Sequence, residues 1–233
     1  MNKHTRIAVL AAGFLLGTAQ AGTVQFSITD KDGKPAADVV VLIESTLKPV
    51  PKPAATPVLI AQEGMRFVPF LTVVPVGSTV RFVNRDGYDH HVRSTPSGPL
   101  GNTPPVKSFE LRLDAADGPA SNGNDEYKSA APARKKSGAS SSEVKLDQIG
   151  AIGLGCHLHS SMRGQVYVSG TPWFGKTDAN GVGSIEGVPD GAAEMTLWHA
   201  DQLQDQPPVP LQVSATPLKA AGQLNFVPRK RRN

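Results

Sequence analysis

Cysteine is nearly missing: Cys156 is the only one in 233 residues. A single thiol excludes an internal disulfide framework, zinc sites that collect several thiolates, and a binuclear copper centre, which needs two. Aromatic residues are scarce at 6%, and none interleaves the basic clusters Arg134-Lys135-Lys136 and Arg229-Lys230-Arg231-Arg232. Those clusters therefore read as a solvated loop and tail, and no nucleic-acid partner is expected. Helical periodicity is almost absent, whereas 23 Gly and 20 Pro are spread along the chain, so the class is predicted to be all-β. No Ser/His/Asp arrangement, paired carboxylates in a recognisable context or second copper set is present, and no enzymatic activity is expected.

One apolar run stands at the start. Residues 1–21 combine Lys3 and Arg6, the segment IAVLAAGFLLGTA and the small-x-small site Ala19-Gln20-Ala21, the pattern of a cleaved secretory signal. Nothing after it approaches the ~20 apolar residues of a spanning helix. A periplasmic protein beginning near Gly22, with no membrane span, is the expectation.

The strands follow from alternation and turn chemistry. GTVQFSITD and VVVLIES flank Lys31-Asp32-Gly33-Lys34-Pro35; VLIAQ, Phe67-Val68-Pro69, LTVVPVG, STVRFVN and KSFELRL follow a Pro-rich connector. Residues 114–142 have almost no apolar side chains and read as a mobile polar insertion. EVKLDQIGAIGLGC is predicted as one strand reaching Cys156 and GQVYVSG as the strand leaving it. AEMTLWHAD, PPVPLQVSA and QLNFVPR complete the pattern.

The chemistry concentrates at Gly155-Cys156-His157-Leu158-His159-Ser160-Ser161-Met162-Arg163-Gly164. A thiolate, an imidazole and a thioether on one turn suit soft and borderline copper; a Cys/His/His site with a weak axial Met is the electron-transfer arrangement. A second histidine has to come from elsewhere, and His90 and His91 compete for the position because neighbours on a strand face opposite ways. Met65 reads as packing and His199 as structural.

Asn84, Asp86, His90 and Val92, followed by Cys156, His159 and Met162 and then Arg163-Gly164-Gln165-Val166-Tyr167-Val168, resemble the cupredoxins, with the loop most similar to that of amicyanins. The resemblance covers roughly 58–170 apart from the insertion. It implies a Greek-key β-sandwich holding one copper per chain through His90, Cys156, His159 and Met162, and a role as a single-electron carrier between redox partners. His91 and His157 depart from the family pattern, in which an asparagine follows the first histidine; they, with Asn84, are candidates either to support the ligands by hydrogen bonds or, for the two histidines, to replace one. Copper storage, delivery or sensing is the competing reading, and an envelope binding module with a structural metal is a third.

The flanks resemble prealbumin-like carboxypeptidase regulatory-like repeats: GTVQFSITDKDGKPAADVVVLIE looks like their opening hairpin and KTDANGVGSIEGVPDGAAEMTLWHAD like a later segment. Residues 22–47 and 171–228 are accordingly expected to form one discontinuous sandwich, able to take a small-molecule ligand, with the 58–170 unit inserted and 229–233 left as a basic tail.

Overall fold

The computed structural model describes residues 21–116 and 140–229. Most of the expected signal segment, the centre of the expected insertion with Arg134-Lys135-Lys136, and all but the first residue of the basic tail lie outside these. Among the described residues there are sixteen strands and no helix, so the chain is all-β.

The middle of the chain builds two sheets. One has five strands, in the order β5 (Leu71–Pro75), β11 (Arg163–Ser169), β10 (Gly150–Cys156), β7 (His90–Thr95), β8 (Glu110–Leu113). The other has four: β4 (Arg66–Val68), β3 (Val58–Glu63), β6 (Thr79–Asn84), β9 (Ser141–Lys145). Alternating residues from both, among them Ile60, Val80, Phe82, Val92, Ile152, Leu154 and Val166, interlock as one apolar core. This two-sheet Greek key is the sandwich that the resemblance implied.

The remaining strands also form two sheets. β1 (Ala21–Thr29) lies between β13 (Val182–Pro189) and β16 (Leu218–Gln223). β2 (Val40–Ser45) lies between β12 (Trp173–Lys176) and β14 (Gly191–Trp198), with β15 (Val209–Val213) at the edge. Val24, Phe26 and Ile28 of β1 meet Val41, Ile43, Met195 and Leu197 in a second core. The unbroken run Val39-Val40-Val41-Leu42-Ile43 lacks alternation because β2 is buried on both faces: Val40 and Leu42 turn away from that core to pack on Leu71, Tyr167 and Trp198. That third cluster joins the two pairs of sheets, helped by Lys176 Nζ donating to Leu71 O at 3.0 Å.

Two expectations are corrected. The stretch ending in Cys156 is two strands in different sheets: β9 pairs with β6 and β10 with β7 and β11, and Leu146 crosses between them through hydrogen bonds to Ser78 O and from Gly77 N. The last strand is β16, not QLNFVPR; it adds parallel to β1, Val24 opposite Leu218 through Thr29 opposite Gln223, so the partner on offer overrides the weak strand propensity of Ala and Gly.

Candidate metal centre

β10 and β11 are antiparallel neighbours, and the loop between them runs from His157 to Met162. Cys156 closes β10 with its side chain in the inner core, and Met162 N–H donates to His159 O at 3.0 Å to tighten the loop. β7 approaches β10 so closely that a Cβ on Gly153 would lie 2.6 Å from Thr95 Oγ1 and 2.7 Å from its carbonyl; glycine there is what permits the register Cys156 opposite Val92. That register delivers the start of β7, His90, to the cysteine.

Three donor atoms converge. Cys156 Sγ is 3.6 Å from Nδ1 of His90 and 3.6 Å from Nδ1 of His159, and the two nitrogens are 3.2 Å apart. An ion bonded to nitrogen at about 2.0 Å and sulfur at about 2.3 Å, with its donors roughly 120° apart, sets separations of about 3.5–3.7 Å. The residues present therefore fit a three-coordinate copper ion. Cys156 and His90 are buried and His159 is half-buried; among the described residues this is the one such group of metal-ligating side chains. Met162 is 1% exposed and belongs to the same core cluster as Cys156.

His90 is set by a chain of hydrogen bonds. Its Nε2 meets Asp86 Oδ2 at 2.8 Å, which fixes the proton on Nε2 and leaves the Nδ1 lone pair facing the sulfur. Asp86 in turn accepts Gly64 N–H at 2.7 Å and Met65 N–H at 3.1 Å from a turn in which both residues have positive φ. Burial pushes the Asp86 carboxyl up, but the bonds from His90, Gly64 and Met65 outweigh it and hold the group below its ordinary value. Asn84 braces the same loop, donating to Tyr88 O at 2.7 Å and Asp114 O at 2.9 Å while accepting Asp86 N–H at 2.9 Å.

His91 and His157 lie outside the donor cluster. Their rings meet edge to face, 5.7 Å apart at 80°, and His91 Nε2 is 3.3 Å from Glu110 Oε1. Their main chains do the supporting: His91 N–H donates to Cys156 Sγ at 3.4 Å, and His157 N–H to His91 O at 3.1 Å, tying the two ligand-bearing loops together.

Sequence reasoning missed two neighbours. Tyr88 sets its ring 5.2 Å from that of His90 and 5.3 Å from that of His159; burial, then the charge of Asp86, raises its phenol above the ordinary value. Its position two residues before His90 was the available signal. Glu110, on β8, had none. Met65 corrects an expectation, since its side chain is 48% exposed instead of packed, and its contribution is the N–H held by Asp86. His199 is buried among the flanking strands, with Nδ1 accepting Asp201 N–H at 3.0 Å.

No family model and no curated protein matches the chain. Among solved structures, a copper-containing nitrite reductase from Thermus scotoductus matches at 18% identity and a TM-score of 0.35, over 51% of this chain and 25% of its own. A reduced Cu(I) form of an amicyanin variant matches at 18% and 0.32, over 55% of this chain and 98% of its own. A purple cupredoxin from Nitrosopumilus maritimus matches at 18% and 0.33, over 48% and 99%. The similar structures are thus cupredoxin folds, and the matched part spans only a quarter of the nitrite reductase.

Proposed function

We propose that the protein is an exported, periplasmic type 1 copper protein that carries single electrons, with His90, Cys156, His159 and Met162 holding one copper per chain. The observation that carries this reading is the triangle of His90 Nδ1, Cys156 Sγ and His159 Nδ1 at 3.2–3.6 Å, with Met162 buried in the same core. Copper bound there supplies a Cu(I)/Cu(II) couple. The chain's contribution is rigidity: the ligands leave strand ends held by ladders, the His91 N–H steadies the thiolate, and Asp86 fixes the His90 ring. Donors that need not move between oxidation states favour electron transfer over bond-making chemistry.

His159 is the half-buried ligand, and Leu158 beside it is 55% exposed; an unidentified redox protein would dock on this end. The flanking strands pair only with one another, which supports a discontinuous second sandwich built from 22–47 and 171–228 with the copper unit inserted. The exposed His157 beside the partly covered His91 favours, as a second reading, copper delivery through that pair.

Addition of Cu(II) to the purified protein is expected to give an intense thiolate-to-copper visible band that disappears in Cys156→Ser. No band, or one indifferent to that substitution, overturns the copper assignment; a band without reversible redox cycling and exchange with a partner favours delivery.

A further inference from the structure

On the outward face of the five-stranded sheet the register builds a groove. Gly155 on β10 is opposite Arg93 on β7 and Arg163 on β11, and Gly153 is opposite Thr95 and Gln165. Directly opposed residues share a face, so two rows have a glycine in the middle and a polar or cationic side chain on each side. The groove continues into a cleft of about 690 Å³ at the seam with the flanking strands, where His199, Asp201 and Arg229 complete the wall. That volume is of the size small-molecule sites take.

The charges in the cleft do not cancel. Its lining holds three guanidinium groups, Arg93, Arg163 and Arg229, and one carboxylate, Asp201. Asp201 is committed to Arg229, whose Nε and Nη2 reach Oδ1 at 2.9 and 2.6 Å and whose N–H reaches Oδ2 at 2.9 Å. Arg163 spends one donor on Met162 O at 3.1 Å. Arg93 makes no side-chain hydrogen bond or ion pair among the described residues; Glu110, opposite it on β8, directs its carboxylate to His91 instead. Two cations therefore flank β10 on one face, about 10 Å apart at Cα from two strand spacings, with most of their forked donors free. Like charges so placed repel unless an anion lies between them.

We propose that this cleft binds a small polyanion carrying two oxyanion groups, clamped between Arg93 and Arg163. Arginine forks take carboxylate and phosphoryl oxygens in pairs, and Arg93 and Arg163 line the same cleft. Thr95 and Gln165 add neutral polar groups along the second row. The site stands on residues that bind no metal and does not depend on the copper reading.

The test is calorimetric titration of the metal-free full chain at low ionic strength with citrate and, separately, pyrophosphate. Saturable one-to-one binding of at least one is expected, and the preferred probe identifies the carboxylate or phosphoryl class. Arg93→Gln and Arg163→Gln should each weaken it about tenfold or more, the scale of a charge-assisted hydrogen bond. Arg81→Gln, which removes an exposed ion pair with Glu143 on the other sheet, and Cys156→Ser should leave it unchanged. Absence of saturable binding by both probes, or wild-type binding by both arginine variants, overturns the proposal.

Discussion

The inner and flanking pairs of sheets bury similar aliphatic cores but treat buried polar atoms differently. Among the flanking strands, Thr177 accepts Val39 N–H and donates to Ala36 O, and Thr171 donates to Ile43 O; each hydroxyl is used up in stitching main chain together. In the inner sandwich, Cys156, His90 and His159 aim acceptor atoms at a common point, and the supporting bonds from Asp86 and the His91 main chain come from behind. Buried polar groups cost free energy unless paired. The first region settles that cost internally, while the second leaves three lone pairs converging where a cation satisfies all of them.

Substitutions can break this contrast at either end. The largest stability effect is expected from Met195→Ala, a fully buried residue of the flanking core: a loss of about 2–5 kcal/mol by denaturant titration, with the copper band unaltered. A band that vanished in the folded variant would show that the two cores are not independent. Asp86→Asn removes the charge that fixes His90 and should lower copper affinity about 10–100-fold, measured by chelator competition. His91→Ala and His157→Ala remove side chains but keep the main-chain bonds to Cys156 and between the loops, so each should change affinity by less than about threefold, well below a ligand loss; a loss as large as that of His159→Ala would make one of them a ligand.

The smallest effect separates the turns. The N–H of Val182 holds the Asp178 carboxyl below its ordinary value; burial opposes it, and the bond from the Asn180 N–H adds to the lowering. A lowered folded-state value means stability that is present above about pH 4 and lost as pH falls through the folded value. The difference in urea midpoint between wild type and Asp178→Ala should therefore be largest near neutrality and shrink as the pH falls below about 4.

What could be read from the chain was what spacing alone determines. Cys156, His159 and Met162 share one turn, and alternation along β7 puts His90 and His91 on opposite faces; that His90 is the one turned inward was implied by the cupredoxin resemblance and is seen in its burial. The dependence of His90 on Asp86 was visible as a spacing, but the Gly64-Met65 turn that anchors Asp86 lies over 20 residues earlier and meets it only in the fold. The break between β9 and β10 was marked only by Asp147-Gln148, which interrupt the apolar alternation; what ends β9 is the change of sheet at Leu146. Arg93 and Arg163 carry no local signal, since only the register across Gly155 makes them neighbours.

The parallel pairing of β1 with β16 has a mechanical consequence. Tension applied at Ala21 and at the far end of β16 pulls these strands in opposite directions along their length, so the ladder from Val24–Leu218 to Thr29–Gln223 is loaded in shear and its bonds must fail together. The strands on either side of the Cys156 loop hang outside that line of force. A stretched molecule should hold its flanking sandwich as a clasp while the inner one, with its ligand triangle, stays slack.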